Sequence, residues 1–292
     1  MRRILVIGAK GMLGRDLVQV LQSSFRNDEV IEWDIEDIDI QEENAIEKIE
    51  KIRAEIVINV AAYTDVDGCE LNGERTFAIN AEGMKHIALG AQRYGAKVVY
   101  LSTDYIFDGK KKEPYLESDS PNPLNIYGRS KWRGEQYVQG LAKDGLIVRT
   151  QWLYGRYGNS FVTSILRQAK ERGILSIVND QVGSPTYTVD LSKAISILIR
   201  NDARGIFHVA NNDLCSWYTF GQAVLELSGL KGVKVIPISS KELGRSALRP
   251  SYSVLNTQKF QRETGMTMRP WHEALKDYLK NTKSECQNPN VK

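Results

Sequence analysis

Two side chains four residues apart, Tyr127 and Lys131 in Tyr127-Gly128-Arg129-Ser130-Lys131, could carry a proton-transfer step. A phenol at its ordinary pKa of about 10 is a slow acid at neutral pH. An ammonium one helical turn away favours phenolate and draws that pKa toward the useful range. Far upstream, Gly8-Ala9-Lys10-Gly11-Met12-Leu13-Gly14 follows an apolar run at residues 4–7 and precedes Leu17, Val18 and Leu21 at helical spacing. Glycines there let the backbone turn tightly and approach a pyrophosphate, and the free N–H groups of the next helix face that anion. Either motif alone is weak, since Tyr-x-x-x-Lys arises by chance in helices and glycines mark ordinary turns. In this order they point to a nicotinamide-dependent reductase. Tyr127 gives the proton; Lys131 tunes it and can hydrogen-bond the nicotinamide ribose.

Other candidates sit at the ends of strand-like segments. Asp34 closes a short strand about twenty residues past the glycine loop, where an acid accepts hydrogen bonds from the adenosine ribose and favours NADH. Lys10 and Arg15 pull the other way, because either could meet a 2′-phosphate, so NADPH stays open. Ala61, Ala62 and Tyr63 follow the run at residues 56–60, and small residues there let a cofactor pass close to the backbone. Ser102-Thr103-Asp104-Tyr105 ends the run at residues 97–101. A hydroxyl such as that of Thr103 can hydrogen-bond a reacting carbonyl oxygen.

The elements that must position these residues alternate. Strands are expected at residues 4–7, 30–34, 56–60, 97–101 and 146–149. Helices are expected near 17–21, 46–52, 74–94 and 127–139. That order is the signature of an α/β fold with a doubly wound parallel sheet of Rossmann type. Residues 104–126 form a long irregular segment rich in Pro and Gly, and such loops are often functional. The expected division is a dinucleotide-binding domain over 1–150 and a smaller α/β substrate-binding domain, mainly 151–283. Part of 186–210 returns to the first domain. In the second half, helices are expected at 160–172, 189–199, 217–228 and 271–283, strands at 175–178, 205–209 and 233–238, and a frayed tail at 284–292.

Composition excludes several classes. The 292 residues carry 39 basic and 36 acidic side chains, a net charge of +3, which gives no reason for a nucleic-acid partner. No apolar stretch approaches the 18 residues of a membrane span, and nothing at the start resembles a signal peptide. Cytoplasmic residence is the expectation. Cys69, Cys215 and Cys286 are scattered and read as free thiols. His86, His208 and His272 form no metal-binding spacing.

The chain resembles the extended short-chain dehydrogenases/reductases and, more narrowly, the dTDP-4-dehydrorhamnose reductase family. The shared segments run nearly end to end. They include residues 8–14, 61–67 and 102–107, Asn125-Ile126-Tyr127-Gly128-Arg129-Ser130-Lys131, and Arg149-Thr150-Gln151-Trp152-Leu153-Tyr154-Gly155. Asn179-Asp180-Gln181-Val182-Gly183-Ser184-Pro185-Thr186 and Arg249-Pro250-Ser251-Tyr252-Ser253 follow. The resemblance implies a catalytic set of Thr103, Tyr127 and Lys131. It places Asp104, Tyr105 and Trp152 against a dTDP-linked 4-keto-6-deoxyhexose, and Arg249 near the nucleotide or its phosphates. Related 4,6-dehydratases carry Thr-Asp-Glu, where the glutamate removes a proton from carbon 5; here that position is Tyr105, which argues for plain reduction. Some members are magnesium-linked dimers. Asp16 matches one of their acids, but Val189 stands where a second would be, so magnesium is not expected, and the chain is a monomer or homodimer. Two alternatives remain: reduction of a related nucleotide sugar, and a non-catalytic dinucleotide-binding subunit like the methionine adenosyltransferase β subunit.

Overall fold

Alternate residues of each buried run face opposite sides of one parallel sheet. The computed structural model describes residues 1–286, with side chains up to Thr282. The strands are β1 (Arg3–Ile7), β2 (Glu29–Trp33), β3 (Ile56–Asn59), β4 (Lys97–Thr103), β5 (Leu146–Thr150) and β6 (Gly205–His208). They lie in the order β2-β1-β3-β4-β5-β6. Ile4, Val6, Ile58, Val99 and Val148 point to one face and Leu5, Ile7, Val57, Val98 and Ile147 to the other. This is why the runs look continuously apolar: both faces are covered.

The covering helices are α1 (Met12–Ser24), α2 (Ala45–Ile52), α3 (Gly83–Gln92), α4 (Ile126–Leu141) and α5 (Thr188–Arg200). Leu13, Leu17 and Leu21 of α1 join Leu191, Ile195 and Leu198 of α5 on the first face. Ile49 of α2, Met84, Ile87 and Ala91 of α3 and Val138 of α4 pack on the second. The chain therefore builds a doubly wound Rossmann-type sheet.

The helix expected over 74–94 is three pieces: Gly73–Phe77, a π turn at Ala78–Glu82, and α3. A π turn widens the helix by one residue and re-aims its side chains. Helix α4 begins where Asn125 caps it, its Oδ1 accepting from the Gly128 N–H at 2.7 Å.

Among the described residues, most of the remainder forms three two-stranded sheets around a second core. Ile174–Val178 pairs in parallel with Lys234–Ile238, and Val182–Gly183 pairs antiparallel with Cys215–Ser216. Leu153–Tyr154 pairs in parallel with Thr186–Tyr187. Tyr154, Tyr187, Phe220, Trp271 and Tyr278 fill this core edge to face and stacked. The last helix, Trp271–Cys286, runs past the expected start of a tail at 284. Polar residues without Gly or Pro extend an established helix readily. The remainder of that expected tail, 287–292, lies outside the described residues.

The irregular segment 104–126 is anchored. Tyr115 N–H donates to Val254 O at 2.8 Å, and Asn256 N–H donates to Tyr115 O at 2.8 Å. Beneath it, His208 is fully buried, with Nδ1 3.0 Å from Tyr115 O. Burial first, then the neighbouring Arg149 charge, pushes the His208 pKa down to about 3. Its folded pKa lies below the unfolded value, so neutral His208 stabilises the fold above about pH 6.5, and that contribution is lost as pH falls toward 3. Between pH 7 and pH 5 the loss is about 2 kcal/mol. Denaturant titrations at the two pH values should show a pH dependence smaller by about that amount in His208→Leu.

Candidate active site

The strand order reverses between β1 and β3, and in such sheets the ligand crevice opens at the carboxyl ends of the strands flanking that reversal. The glycine loop lies there. Gly8 has φ +87, and a Cβ on it would sit 2.7 Å from Ala61 N. A Cβ on Gly14 would overlap the Gly8 carbonyl oxygen. Gly11 caps α1 without a side chain, so no side chain among the described residues covers the first N–H groups of the helix. Lys10, Met12 and Leu13 complete this turn. The space a side chain would fill, together with an open helix N-terminus, fits the pyrophosphate of a dinucleotide.

A cavity of about 270 Å³ beside the loop is lined by Gly8, Asp34, Ala61, Ala62, Tyr63 and Arg75, among others. Asp34 Oδ2 accepts from Lys10 N–H at 2.8 Å, and its Oδ1 accepts from Ile35 N–H at 2.9 Å. Lys10 Nζ lies 3.0 Å from Glu36.

A second cavity, about 310 Å³, holds Thr103, Asp104, Tyr105, Tyr127, Lys131 and Trp152 in its wall, with Met12 and Ala62 at the loop side. Thr103 ends β4, so it reaches the crevice beside Tyr127; its Oγ1 donates to Asp104 Oδ1 at 3.0 Å and accepts from Tyr105 N–H at 3.2 Å. Tyr127 and Lys131 project from successive turns of α4. Gly128 lets that helix start close to β4, since a Cβ there would overlap the Tyr105 carbonyl. Tyr105 and Tyr127 rings meet edge to face at 5.9 Å.

The electrostatics differ from the sequence expectation. Burial, followed by the Asp104 charge, pushes the Tyr127 pKa up, not down. Lys131 is itself buried, and desolvation lowers its pKa to about 7, against a smaller upward pull from Glu135. Its Nζ rests 4.2 Å from the centroid of the Tyr100 ring. Burial also raises Asp104 to about 7. The phenol is therefore held protonated at neutral pH, the form a proton donor needs.

Trp152 adopts φ 49, which a bulky residue rarely takes, and such strain concentrates at functional sites. Its ring stacks on Trp217 at 3.6 Å, and Gly183 leaves room for it. Arg249 is not in the cavity wall. Its Nη2 and Nη1 meet Asp67 at 2.8 and 3.1 Å, and its Nη1 donates to Ala247 O at 2.9 Å. Asp67 further accepts from Arg245, Ser246 and the Ala247 N–H, so Arg249 is part of a clasp around this carboxylate. Asp16 lies buried between α1 and α5, accepting from the Thr188 hydroxyl.

A family model described as the RmlD substrate binding domain matches residues 1–284. The chain belongs to this family. The spore coat polysaccharide biosynthesis protein SpsK of Bacillus subtilis is 39% identical over 98% of this chain and 100% of its own length. A crystal structure of a dTDP-4-dehydrorhamnose reductase from Clostridium acetobutylicum is 41% identical with a TM-score of 0.92, over 96% of this chain and 99% of that one. The dTDP-4-dehydrorhamnose reductase of Bacillus anthracis, solved in complex with NADP, is 39% identical with a TM-score of 0.91, over 96% and 100%.

Three wall or support residues of this RmlD-family chain escaped sequence reasoning. Asn80, in the π turn, accepts from Tyr63 N–H at 2.8 Å and donates to Tyr63 O and Ser130 Oγ at 3.0 Å each. It thereby ties the β3 loop to α4; a buried Asn inside a helix was the available signal. Trp217 shares the cavity wall with Trp152, and only its aromatic type hinted at this. Gln151 Oε1 accepts from Ser184 N–H at 3.1 Å, which fixes its amide at the cavity wall.

Proposed function

We propose that this chain reduces the C4 carbonyl of dTDP-4-dehydro-L-rhamnose to dTDP-L-rhamnose with NADH or NADPH. The observation that carries the reading is the convergence of Thr103, Tyr127 and Lys131 in one cavity beside the glycine cradle. When bound, the nicotinamide supplies the hydride. Tyr127 hydrogen-bonds the carbonyl oxygen and gives it a proton as alkoxide character develops. Thr103 holds the same oxygen from the other side. Lys131 steadies the charge around the phenol and the nicotinamide ribose. Trp152, fixed by Trp217, packs against the sugar, with Asp104 and Tyr105 beside it. No carboxylate stands at Tyr105 to remove a carbon-bound proton, so elimination is not supported.

Asp34 favours NADH by accepting from the adenosine ribose. The NADP found in the Bacillus anthracis relative supports a site that also accepts the 2′-phosphate, with Lys10, Arg15 or Arg75 as its cation. The product suits polysaccharide assembly, in line with the name of SpsK. The test is turnover of the dTDP-4-keto sugar with each cofactor and NMR of the product. Rhamnose stereochemistry is expected; no cofactor oxidation would overturn the reading.

A further inference from the structure

We propose that Glu135 is a positioning residue for Lys131: its buried carboxylate, one helical turn away and clamped by Arg149, stabilises the Lys131 ammonium through space. The proposal rests on the reading of Lys131 as the cation beside Tyr127.

Lys131 and Glu135 are four residues apart on α4 and so share a face. Both are buried, 3% and 1% exposed, so neither charge is screened by water. Arg149 of β5 grips Glu135 through Nε at 2.9 Å and Nη2 at 2.7 Å, a two-pronged bond that fixes the carboxylate plane. Arg149 is fixed in turn, its Nη1 donating to Glu117 O at 3.3 Å beside His208. Gly134 lets the Tyr100 hydroxyl lie against α4, 3.4 Å from Lys131 O and 3.3 Å from Asn80 O of the π turn, either of which can accept its hydrogen. Lys131 therefore has an aromatic face on one side and a rigid anion one helical turn away.

The neighbouring elements offer no substitute. Glu70 accepts from Ile126 N–H at 2.7 Å, at the far end of the helix. Glu82 accepts from the Tyr137 hydroxyl at 2.6 Å and pairs with Lys85. Arg75 lies over the Tyr63 ring, His86 contacts Ile40 O, and Glu74 is exposed. Asp104, Tyr105 and Cys69 are titratable groups on the Tyr127 side of the cavity. Among the described residues Glu135 is the anion that shares the buried face of α4 with Lys131, and its charge favours the ammonium.

Removing only the anion leaves Arg149 buried and uncompensated, which weakens the fold. The test therefore compares Glu135→Gln with the double variant Glu135→Gln/Arg149→Met, which removes both charges. Lysine labelled with ¹³C at Cε is titrated by NMR in the free protein, with the Lys131 signal identified by its loss in Lys131→Met. The wild-type midpoint near 7 should fall by about one unit in both variants, and Glu135→Asp should retain it. The alkaline limb of kcat/KM should move to lower pH by the same step, since the ammonium is lost as pH rises through that midpoint. An unshifted midpoint, or a double variant that regains the wild-type value, overturns the proposal. A wild-type protein that titrates as expected but turns nothing over would instead sink the catalytic reading.

Discussion

Tyr127→Phe should turn over the keto sugar at least roughly 100-fold more slowly than the wild type, the scale on which a positioned general acid acts. The phenol is the protonated donor of the cavity, because burial and Asp104 both disfavour phenolate. Deleting its oxygen leaves the ring, its edge-to-face contact with Tyr105 and the helix beneath it intact. Thr103 keeps its bond to Asp104. Only the proton source is lost, so kcat should carry the effect. NADPH binding, read by fluorescence titration, should stay within a few-fold, because the glycine cradle lies on the other side of Met12 and Ala62. Near-normal kcat would show that some other group delivers the proton.

The backbone of this site was legible in the sequence, and its charge balance was not. The unbroken apolar runs identified strands buried on both faces, and their alternation with helical spacing dictated a parallel sheet. Once that sheet exists, Thr103 must sit at a strand's carboxyl end and Tyr127 at a helix start facing it. Spacing alone also implied that Lys131 depresses Tyr127. That inference assumed a solvated ammonium. The cavity removes water from both groups, and desolvation is the dominant influence on each. Arg249 shows the same limit from another direction. An arginine suits a diphosphate, but Asp67 lies far away in sequence and only the folded chain reveals that it takes the guanidinium. Asn80 and Trp217 were hidden for a third reason. Their roles depend on a local helix widening and on a ring stack, neither of which has a periodic signature.

Gly14→Ala should raise the Kd for NADH and NADPH by roughly 10- to 100-fold, corresponding to about 1.4–3 kcal/mol. Gly14 sits in the first turn of α1, and the added methyl would overlap the Gly8 carbonyl and come within 2.8 Å of the Ala9 Cα. These are backbone atoms, so no side chain can swing aside, and the helix must withdraw from the loop. The loop cannot follow freely, because Gly8 is already pressed against Ala61 at positive φ. Withdrawal pulls the uncapped N–H groups of α1 away from the place where a pyrophosphate would rest. Gly140→Ala provides the control. That glycine lies in α4 with open space around its Cβ position, so alanine there should leave binding unchanged and stabilise the helix by about 0.5–1 kcal/mol. A Gly14→Ala protein that unfolds at the wild-type temperature and binds both cofactors as tightly as the wild type would mean that the dinucleotide lies elsewhere than on this loop.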